Sequence, residues 1–260
     1  MKYFRIFSKF VALDLSSEFR YKLNIVMKFI SFIIMDFIGP LVAILIYTNT
    51  LGIPGWNLYE FLLFQGTLTL VMGLGHTFAF RFAWEVMDMV RNGEFDKIMV
   101  KPLKPLTFLM LGSFNFPGVA EVFAGLVILI IALMNLNLGF TWNYVPYVIF
   151  IFLGVLFQLG VATLISAMAF LFIKSWSLFD IWFHMTNFAR YPSIIFGMAI
   201  RFIITFIFPV AVASYFPAAA LLGRLSLLEI LLPMLAVIMF YLVTLLFWKF
   251  AMKKYNSAGG

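Results

Sequence analysis

The chain has 260 residues, of which 64% are hydrophobic and 11% are charged, and its formal net charge is +7. Soluble domains carry roughly a quarter charged residues, so this composition excludes an ordinary soluble domain and predicts an all-α polytopic membrane protein. The basic residues flank apolar runs instead of forming one stripe, which is typical of membrane topology and argues against nucleic-acid binding. With no cysteine in the chain, disulfides and thiolate chemistry are excluded.

The first segment, residues 1–22, predicts an amphipathic helix that lies in the membrane interface. At roughly 100° per residue, Lys2, Arg5 and Lys9 share one face of this helix, and aromatic side chains cover much of the other. This pattern is typical of helices bound at a membrane surface. A solvated basic leader with incidental aromatic residues is the alternative.

Six apolar runs follow, each long enough to cross roughly 30 Å of hydrocarbon as a helix. They predict a single transmembrane domain over residues 1–260, with spans at 24–48, 58–82, 106–134, 145–173, 192–215 and 227–250. Lys and Arg concentrate in the N-terminal segment, in 81–105, in 174–190 and at the C-terminus, whereas the alternate loops hold only Arg224. The positive-inside rule therefore predicts that both termini are cytoplasmic. Five spans with a re-entrant Arg201 region are the main alternative.

Four Asp, Glu, His, Lys or Arg residues lie inside the predicted spans and away from their ends: Asp36, His76, Glu121 and Arg201. A charge at mid-bilayer costs roughly 3 kcal/mol or more and usually marks function. We expect Arg201 to pair with Asp36 or Glu121, and such a pair either only fixes helix packing or lines a polar path or proton site. The alternative is that the Arg201 side chain extends toward the cytoplasmic interface. A buried pair predicts that Arg201→Ala impairs folding or transport more than Arg224→Ala does. His76 is expected to hydrogen-bond a neighbouring helix, and no metal site is predicted.

Glycines in two of the spans indicate close contacts between helices. Small residues let the backbones of spanning helices approach each other. The candidates are Gly66, Gly73 and Gly75 in the second span and Gly154 and Gly160 in the fourth.

A charged segment, residues 83–105, separates the second and third spans. Trp84 to Asn92 has a helical pattern with charged and apolar sides, and Gly93 is a typical helix stop. Phe95 to Val100 predicts a further turn before Lys101-Pro102 ends it. Such a helix at the cytoplasmic face suits a groove on a soluble partner, although a solvated loop is the alternative. The chain has no GxxxxGK[ST] phosphate-binding loop of its own.

The stretch NGEFDKIMVKPLKPL, residues 92–106, resembles the cytoplasmic coupling segment of type-2 (exporter) ABC transporter permeases, and the N-terminal helix is similar to theirs too. The stretches RYP at 190–192, RFIITFIFPVA at 201–211 and YFPA at 215–218 resemble small six-span permeases that work beside a second permease and an ATPase. The resemblance covers essentially the whole chain. No large extracellular domain is present between the spans, so nothing points to the lipid-exporting members.

The resemblance implies a permease subunit of an ABC exporter in the cell membrane, forming the substrate pathway without catalytic residues or a cofactor of its own. ATP and Mg²⁺ would bind to separate ATPase subunits, and a second permease chain, identical or similar, would complete the transporter. The region 201–215 would match the fifth span and its re-entrant turn. The residues that would dock the ATPase are Trp84, Glu85, Val86, Asp88, Met89, Val90, Arg91, Gly93, Glu94, Phe95 and Asp96.

A second function from a different class stays open at this point. This alternative is a self-sufficient, ion-coupled secondary transporter or channel, in which Asp36, Glu121 and Arg201 carry the coupling or selectivity roles. The two hypotheses differ in whether transport requires an ATPase partner.

Overall fold

The computed structural model describes residues 2–172 and 176–255, and helices are the regular structure in those ranges. The α-helices, in chain order, are α1 (Lys2–Arg20), α2 (Lys22–Asn49), α3 (Leu58–Phe78), α4 (Arg81–Arg91), α5 (Asp96–Met99), α6 (Pro105–Leu111), α7 (Gly118–Leu136), α8 (Tyr144–Ala169), α9 (Ser177–Phe188), α10 (Met198–Phe202), α11 (Tyr215–Leu221) and α12 (Leu227–Met252).

Five of these helices, α2, α3, α7, α8 and α12, are long and apolar enough to cross a membrane. The predicted all-α membrane fold is therefore confirmed, but the six-span count is not, because only these five reach spanning length among the described residues. Ile173 and Lys174, at the end of the predicted fourth span and the start of the next polar segment, lie outside the described residues.

Helix α3 forms the centre of the bundle, because most of its side chains are buried. The backbones of α3 and α7 approach each other closely, because each helix has two glycines, seven residues apart, at the contact. Gly66 and Gly73 of α3 face the backbone of α7, and Gly118 and Gly125 of α7 face the backbone of α3. The close contacts predicted for the α3 glycines are thereby confirmed.

The third predicted span, 106–134, is interrupted. Helix α6 ends at Leu111 and the spanning helix α7 begins only at Gly118. The loop between them supplies donors for the carbonyls that the end of α3 leaves without helical partners. Ser113 Oγ donates to the Phe78 carbonyl, and the Asn115 amide donates to the Thr77 carbonyl at 2.9 Å. Pro117 also disfavours a helical conformation at the preceding residue.

The fifth predicted span, 192–215, is not a continuous helix. It consists of 3-10 turns at Ser193–Ile195 and Val210–Ala213, with α10 and a π-helical turn (Ile203–Ile207) between them. Prolines at 192 and 209 remove backbone donors and restrict the preceding residues. The Phe208 ring lies 5.2 Å from that of Phe157 and 5.7 Å from that of Phe240, halfway along α8 and α12, before the chain turns back into α11. The region nevertheless leads from the end of α8, where Phe170 contacts Phe95, to the opposite end of the bundle, where the Leu221 carbonyl accepts a hydrogen bond from Asn143 at the start of α8. It is therefore an interrupted crossing of the bundle, and the re-entrant alternative is wrong.

Candidate functional site

A cavity of about 110 Å³ lies where α2, α3, α7 and α9 meet. Its apolar wall includes Leu68, Met72 and Trp182. Side chains or backbone from all four elements supply its polar lining: Asp36 from α2, Gln65, Thr69 and His76 from α3, Glu121 from α7, Thr186 from α9 and Arg190 just beyond it. The structure therefore brings together three of the four ionisable residues that the sequence places inside spans. We call this space the inner cavity.

His76 and Glu121 form the polar contact between α3 and α7. Nδ1 of His76 lies 2.5 Å from Oε2 of Glu121, and Glu121 is only 5% exposed. The predicted hydrogen bond from His76 to a neighbouring helix is confirmed. The glycine contacts explain its position, since the backbone of Glu121 lies directly against Gly73, one helical turn before His76. Glu121 also lies in the first turn of α7, where the helix dipole favours a negative charge.

Asp36 occupies a different position on the same cavity. Its Oδ2 atom is buried and has no hydrogen-bond partner among the residues described. The side chain of Gln65 is already engaged, because its Nε2 donates to the Arg190 carbonyl at 2.9 Å and so holds the turn after α9. Asp36 is therefore the buried acceptor that the inner cavity leaves open.

Arg201 does not join this group, so the predicted pairing of Arg201 with Asp36 or Glu121 is wrong. Arg201 is exposed and lines a separate cavity of about 250 Å³ beside Glu229, at the N-terminal end of α12. The arginine that lines the inner cavity is Arg190, which sequence reasoning assigned to a polar segment outside the membrane. The available signal was Pro192, because a proline so close after a helix often marks a break in a spanning segment.

Arg224 is better anchored than Arg201, which reverses the expected order of the two alanine substitutions. Nη2 of Arg224 lies 2.5 Å from Oε1 of Glu60, Nη1 donates to the Gly55 carbonyl at 2.8 Å, and the guanidinium lies 5.0 Å from the Trp56 ring. Glu60 belongs to the capping box that begins α3.

We expect Arg224→Ala to cost about 1–2 kcal/mol, because it removes two charge-assisted hydrogen bonds and a cation–π contact that are partly exposed. Arg201→Ala is expected to be nearly neutral, since the described structure shows no hydrogen bond to its side chain. Thermal unfolding of the two detergent-purified variants measures the difference. A larger loss for Arg201→Ala contradicts the placement of both arginines.

A second, larger space lies between α1, α2 and the start of α4. It has a volume of about 600 Å³ and is lined by Asp14, Glu18, Arg81, Glu85 and several aromatic side chains. We call it the outer vestibule, and the word outer refers only to its position relative to the inner cavity, not to a side of the membrane. His76 lines both the outer vestibule and the inner cavity, so it stands at their junction.

Arg81 joins α1 to the rest of the protein at this vestibule. Asp14 is the buried residue of α1, and it accepts a hydrogen bond from Arg81 Nη1 and another from the Phe116 amide at 2.9 Å. Arg81 also donates to Glu85 at 2.9 Å and to the Phe114 carbonyl at 2.8 Å. Burial alone would lower the pKa of Arg81, but the bonds to Glu85 and Asp14 outweigh it and raise the pKa. The guanidinium is therefore charged throughout the physiological range.

The residues assigned to ATPase docking divide into buried and accessible groups. Val86 and Phe95 are fully buried, so their assignment as docking contacts is wrong. Trp84 is partly exposed, but its ring stacks on that of Phe179 at 3.9 Å. Met89 and Val90 pack against the same core. The apolar side of α4 thus contacts this protein itself, because amphipathicity shows that a face is buried but not what covers it.

The accessible side of α4 and α5 is charged. Asp88 pairs with Arg91 at 3.1 Å and Glu94 pairs with Lys97 at 2.6 Å, all four being largely exposed. Gly93, with φ of 70°, ends α4 as predicted, and α5 forms the predicted further turn, with Asp96 as its first residue. We call this charged surface, from Asp88 to Lys97, the charged face.

Metal binding finds no support in the geometry. Within residues 2–172 and 176–255, no group of three or more His, Cys, Asp or Glu side chains is placed to hold a metal ion.

Comparison with protein families gives a match over most of the chain. Residues 25–259 match the model described as ABC-2 family transporter protein, which includes α3 to α12 and nearly all of α2 but begins after α1. No curated protein and no solved structure matches the chain significantly.

Proposed function

The chain belongs to the ABC-2 family of transporter proteins, and from this premise we propose that it is the permease subunit of an exporter that couples to its ATPases through α4 and α5. Membership makes it an ABC transporter permease in a membrane, with ABC ATPase subunits as partners. The proposal adds the direction of transport and the coupling element. It also places α4, α5 and both termini on the cytoplasmic side of the cell membrane.

The observation that carries the proposal is the charged face on a rigid support. The inner side of α4 is buried through Phe82, Ala83, Val86 and Met87, so the helix cannot rotate without disturbing the core. Exposed ion pairs such as those of the charged face add little to folding stability, which leaves them available for a partner. Helix α4 follows α3 after only two residues, so a displacement of α4 is transmitted directly to the helix at the centre of the bundle.

Aromatic contacts connect the coupling element to the inner cavity. Trp84 of α4 stacks on Phe179, and Phe80, just before α4, stacks on Trp182 at 5.2 Å between ring centroids. Both partners belong to α9, and Trp182 lines the inner cavity. In the proposed mechanism, closure of the ATPase pair moves α4, and α9 follows because the stacked rings are densely packed. The change reaches the cavity wall and alters access to it.

ATP and Mg²⁺ would be bound and used by the ATPase subunits, and this chain would have no catalytic role. A second permease chain, identical or similar, would complete the transporter. The five spanning helices leave much of α2 and α12 exposed, which supports contacts with lipid and with such a second chain.

The docking role is tested by co-purification of the ATPase from native membranes. Reversing two exposed acids together, Asp88→Lys and Glu94→Lys, is expected to reduce the retained ATPase about tenfold or more, because rim charges set complementarity with a partner. Because both residues form only surface pairs, the chain itself should stay folded.

Arg201→Ala is the matched control, since it removes an exposed charge at a distance from α4. It is expected to retain the ATPase at the native level. Unchanged retention in the Asp88→Lys, Glu94→Lys variant contradicts docking at the charged face. Glu85 is unsuitable for this test because its reversal would also break its bond to Arg81.

A further inference from the structure

We propose that the outer vestibule and the inner cavity form one route for a compact organic cation, such as a protonated primary amine. This inference rests on the proposed function and adds a substrate class to it. The two spaces share His76 as a lining residue, so the route runs from the vestibule beside α4, past His76, to Asp36 and Arg190.

Acidic side chains are concentrated along this route. Five of the chain's 11 Asp and Glu residues line the two spaces: Asp14, Glu18, Asp36, Glu85 and Glu121. Of its 18 Lys and Arg residues, those lining the two spaces within the described part of the chain are Arg81 and Arg190. Because the whole chain carries a net charge of +7, this acid excess is not an effect of composition. Arg81 bonds to Asp14 and Glu85, and Lys28 bonds to Glu18, so part of this acid excess is already neutralised. The acids that remain favour a cation over an anion along the route.

The inner cavity supplies an acceptor for an ammonium group. Most of its polar groups already have partners, since Glu121 bonds to His76 and Gln65 bonds to the Arg190 carbonyl. Asp36 Oδ2 is buried without a partner in the described structure. A buried carboxylate oxygen without a hydrogen-bond donor is costly, and an ammonium group supplies three N–H donors.

The remaining walls favour a small cation with an apolar part. Trp182 contributes part of its indole side chain to the apolar wall of the cavity. Leu68 and Met72 provide an apolar surface, and Thr69 and Thr186 provide hydroxyl groups. A volume of about 110 Å³ limits the bound part to a few non-hydrogen atoms. An anion of the same size would bring its charge beside Asp36 and Glu121.

The test compares three ligands of similar size and different charge on the purified full-length chain. n-Propylammonium chloride is expected to raise the thermal unfolding temperature more than n-propanol, sodium propionate or an equal concentration of NaCl, since a ligand that binds the folded state stabilises it. Asp36→Asn preserves shape but removes the charge, and it is expected to weaken the apparent affinity for n-propylammonium about tenfold or more.

Asp180→Asn is the control variant, because Asp180 is an exposed acid of α9 that lines neither space. It should bind n-propylammonium as the native chain does. Equal stabilisation by n-propylammonium and NaCl, or stronger stabilisation by propionate, overturns the proposal on the native chain alone, even if Asp36→Asn fails to fold. If n-propylammonium stabilises Asp36→Asn as much as the native chain, the ligand does not bind at Asp36, and this result also overturns the proposal. The measurement needs no ATPase, so ATPase retention without a cation effect rejects the substrate class and leaves the permease assignment standing.

Discussion

Gly73→Val is expected to separate α3 from α7 and to prevent correct folding of most of the protein. A Cβ atom at Gly73 would lie 2.5 Å from the backbone nitrogen of Val122 and 2.8 Å from the carbonyl carbon of Glu121. Backbone atoms inside a helix cannot move aside as the end of a side chain can. Overpacking of a well-packed core costs about 3 kcal/mol and sometimes more, and here the helices must separate along their whole contact.

Yield of monodisperse protein by size-exclusion chromatography and the unfolding temperature of any folded fraction measure this effect. Gly125→Val is expected to behave alike, because its Cβ would lie 2.5 Å from the Leu70 backbone nitrogen. Gly139→Ala is the control, since nothing lies within 4 Å of the position of its added Cβ. Native yield and stability in Gly73→Val would show that α3 and α7 are further apart than described.

The same contact explains why the inner cavity exists where it does. Because α3 and α7 touch at Gly73, the side chains one turn further along α3 meet the first turn of α7, and His76 reaches Glu121 at 2.5 Å. Gly75 allows a close contact on another side of α3. The Gln158 amide fills the place that a Cβ at position 75 would take, and it donates a hydrogen bond to the Val71 carbonyl. Glycine spacing therefore sets both the packing of the bundle and the place of its polar residues.

Hydropathy predicted the long helices well, because the energy of burying apolar residues in lipid depends mainly on composition and length. It failed where continuity of the helix mattered. The runs 106–134 and 192–215 are apolar enough to span a membrane, yet neither forms one continuous helix. Pro117, Pro192 and Pro209 lie in these runs and lack the backbone N–H that a helix needs, and a hydropathy average does not take this into account. A stricter use of these prolines would have predicted interrupted helices in both runs.

The candidate site was predicted in part. Asp36, His76 and Glu121 stood out because a charge in a span is costly, and they do meet at one cavity. Which arginine faces them depends on the fold of the interrupted region, and sequence spacing carries no information about that. The apolar residues of α4 show the same limit. Their periodicity predicted an apolar side, which was assigned to a groove on a partner, whereas this side packs against α8, α9 and the C-terminal residues of the same chain.

Asp14→Ala is expected to lower stability by about 2–3 kcal/mol and to reduce transport more than ATPase retention. Breaking a buried ion pair costs about 3–5 kcal/mol, and we discount this because the Arg81 side chain remains 35% exposed. The substitution also leaves the Phe116 amide without its acceptor. Asp14→Asn keeps a possible acceptor for that amide and should cost less. Unfolding temperature gives the first effect, and transport per retained ATPase gives the second.

The position of Asp14 explains why Asp14→Ala should reduce transport more than ATPase retention. Asp14 is distant in sequence from the charged face, and its loss leaves Asp88 and Glu94 in place, so docking should persist. What is lost is the restraint that holds the start of α4 to α1 and to the loop before α7, so a displacement of α4 would no longer move those elements together.

The transport defect of Asp14→Ala should not depend on pH across the physiological range. The pKa of Arg81 is raised, so Arg81 loses its charge, and with it the stabilising contribution of its bonds, only far above physiological pH. Arg20→Ala, which removes an exposed charge at the end of α1, should leave both measurements unchanged. If Asp14→Ala and Arg20→Ala behave alike, α1 serves as a membrane anchor alone and takes no part in positioning α4.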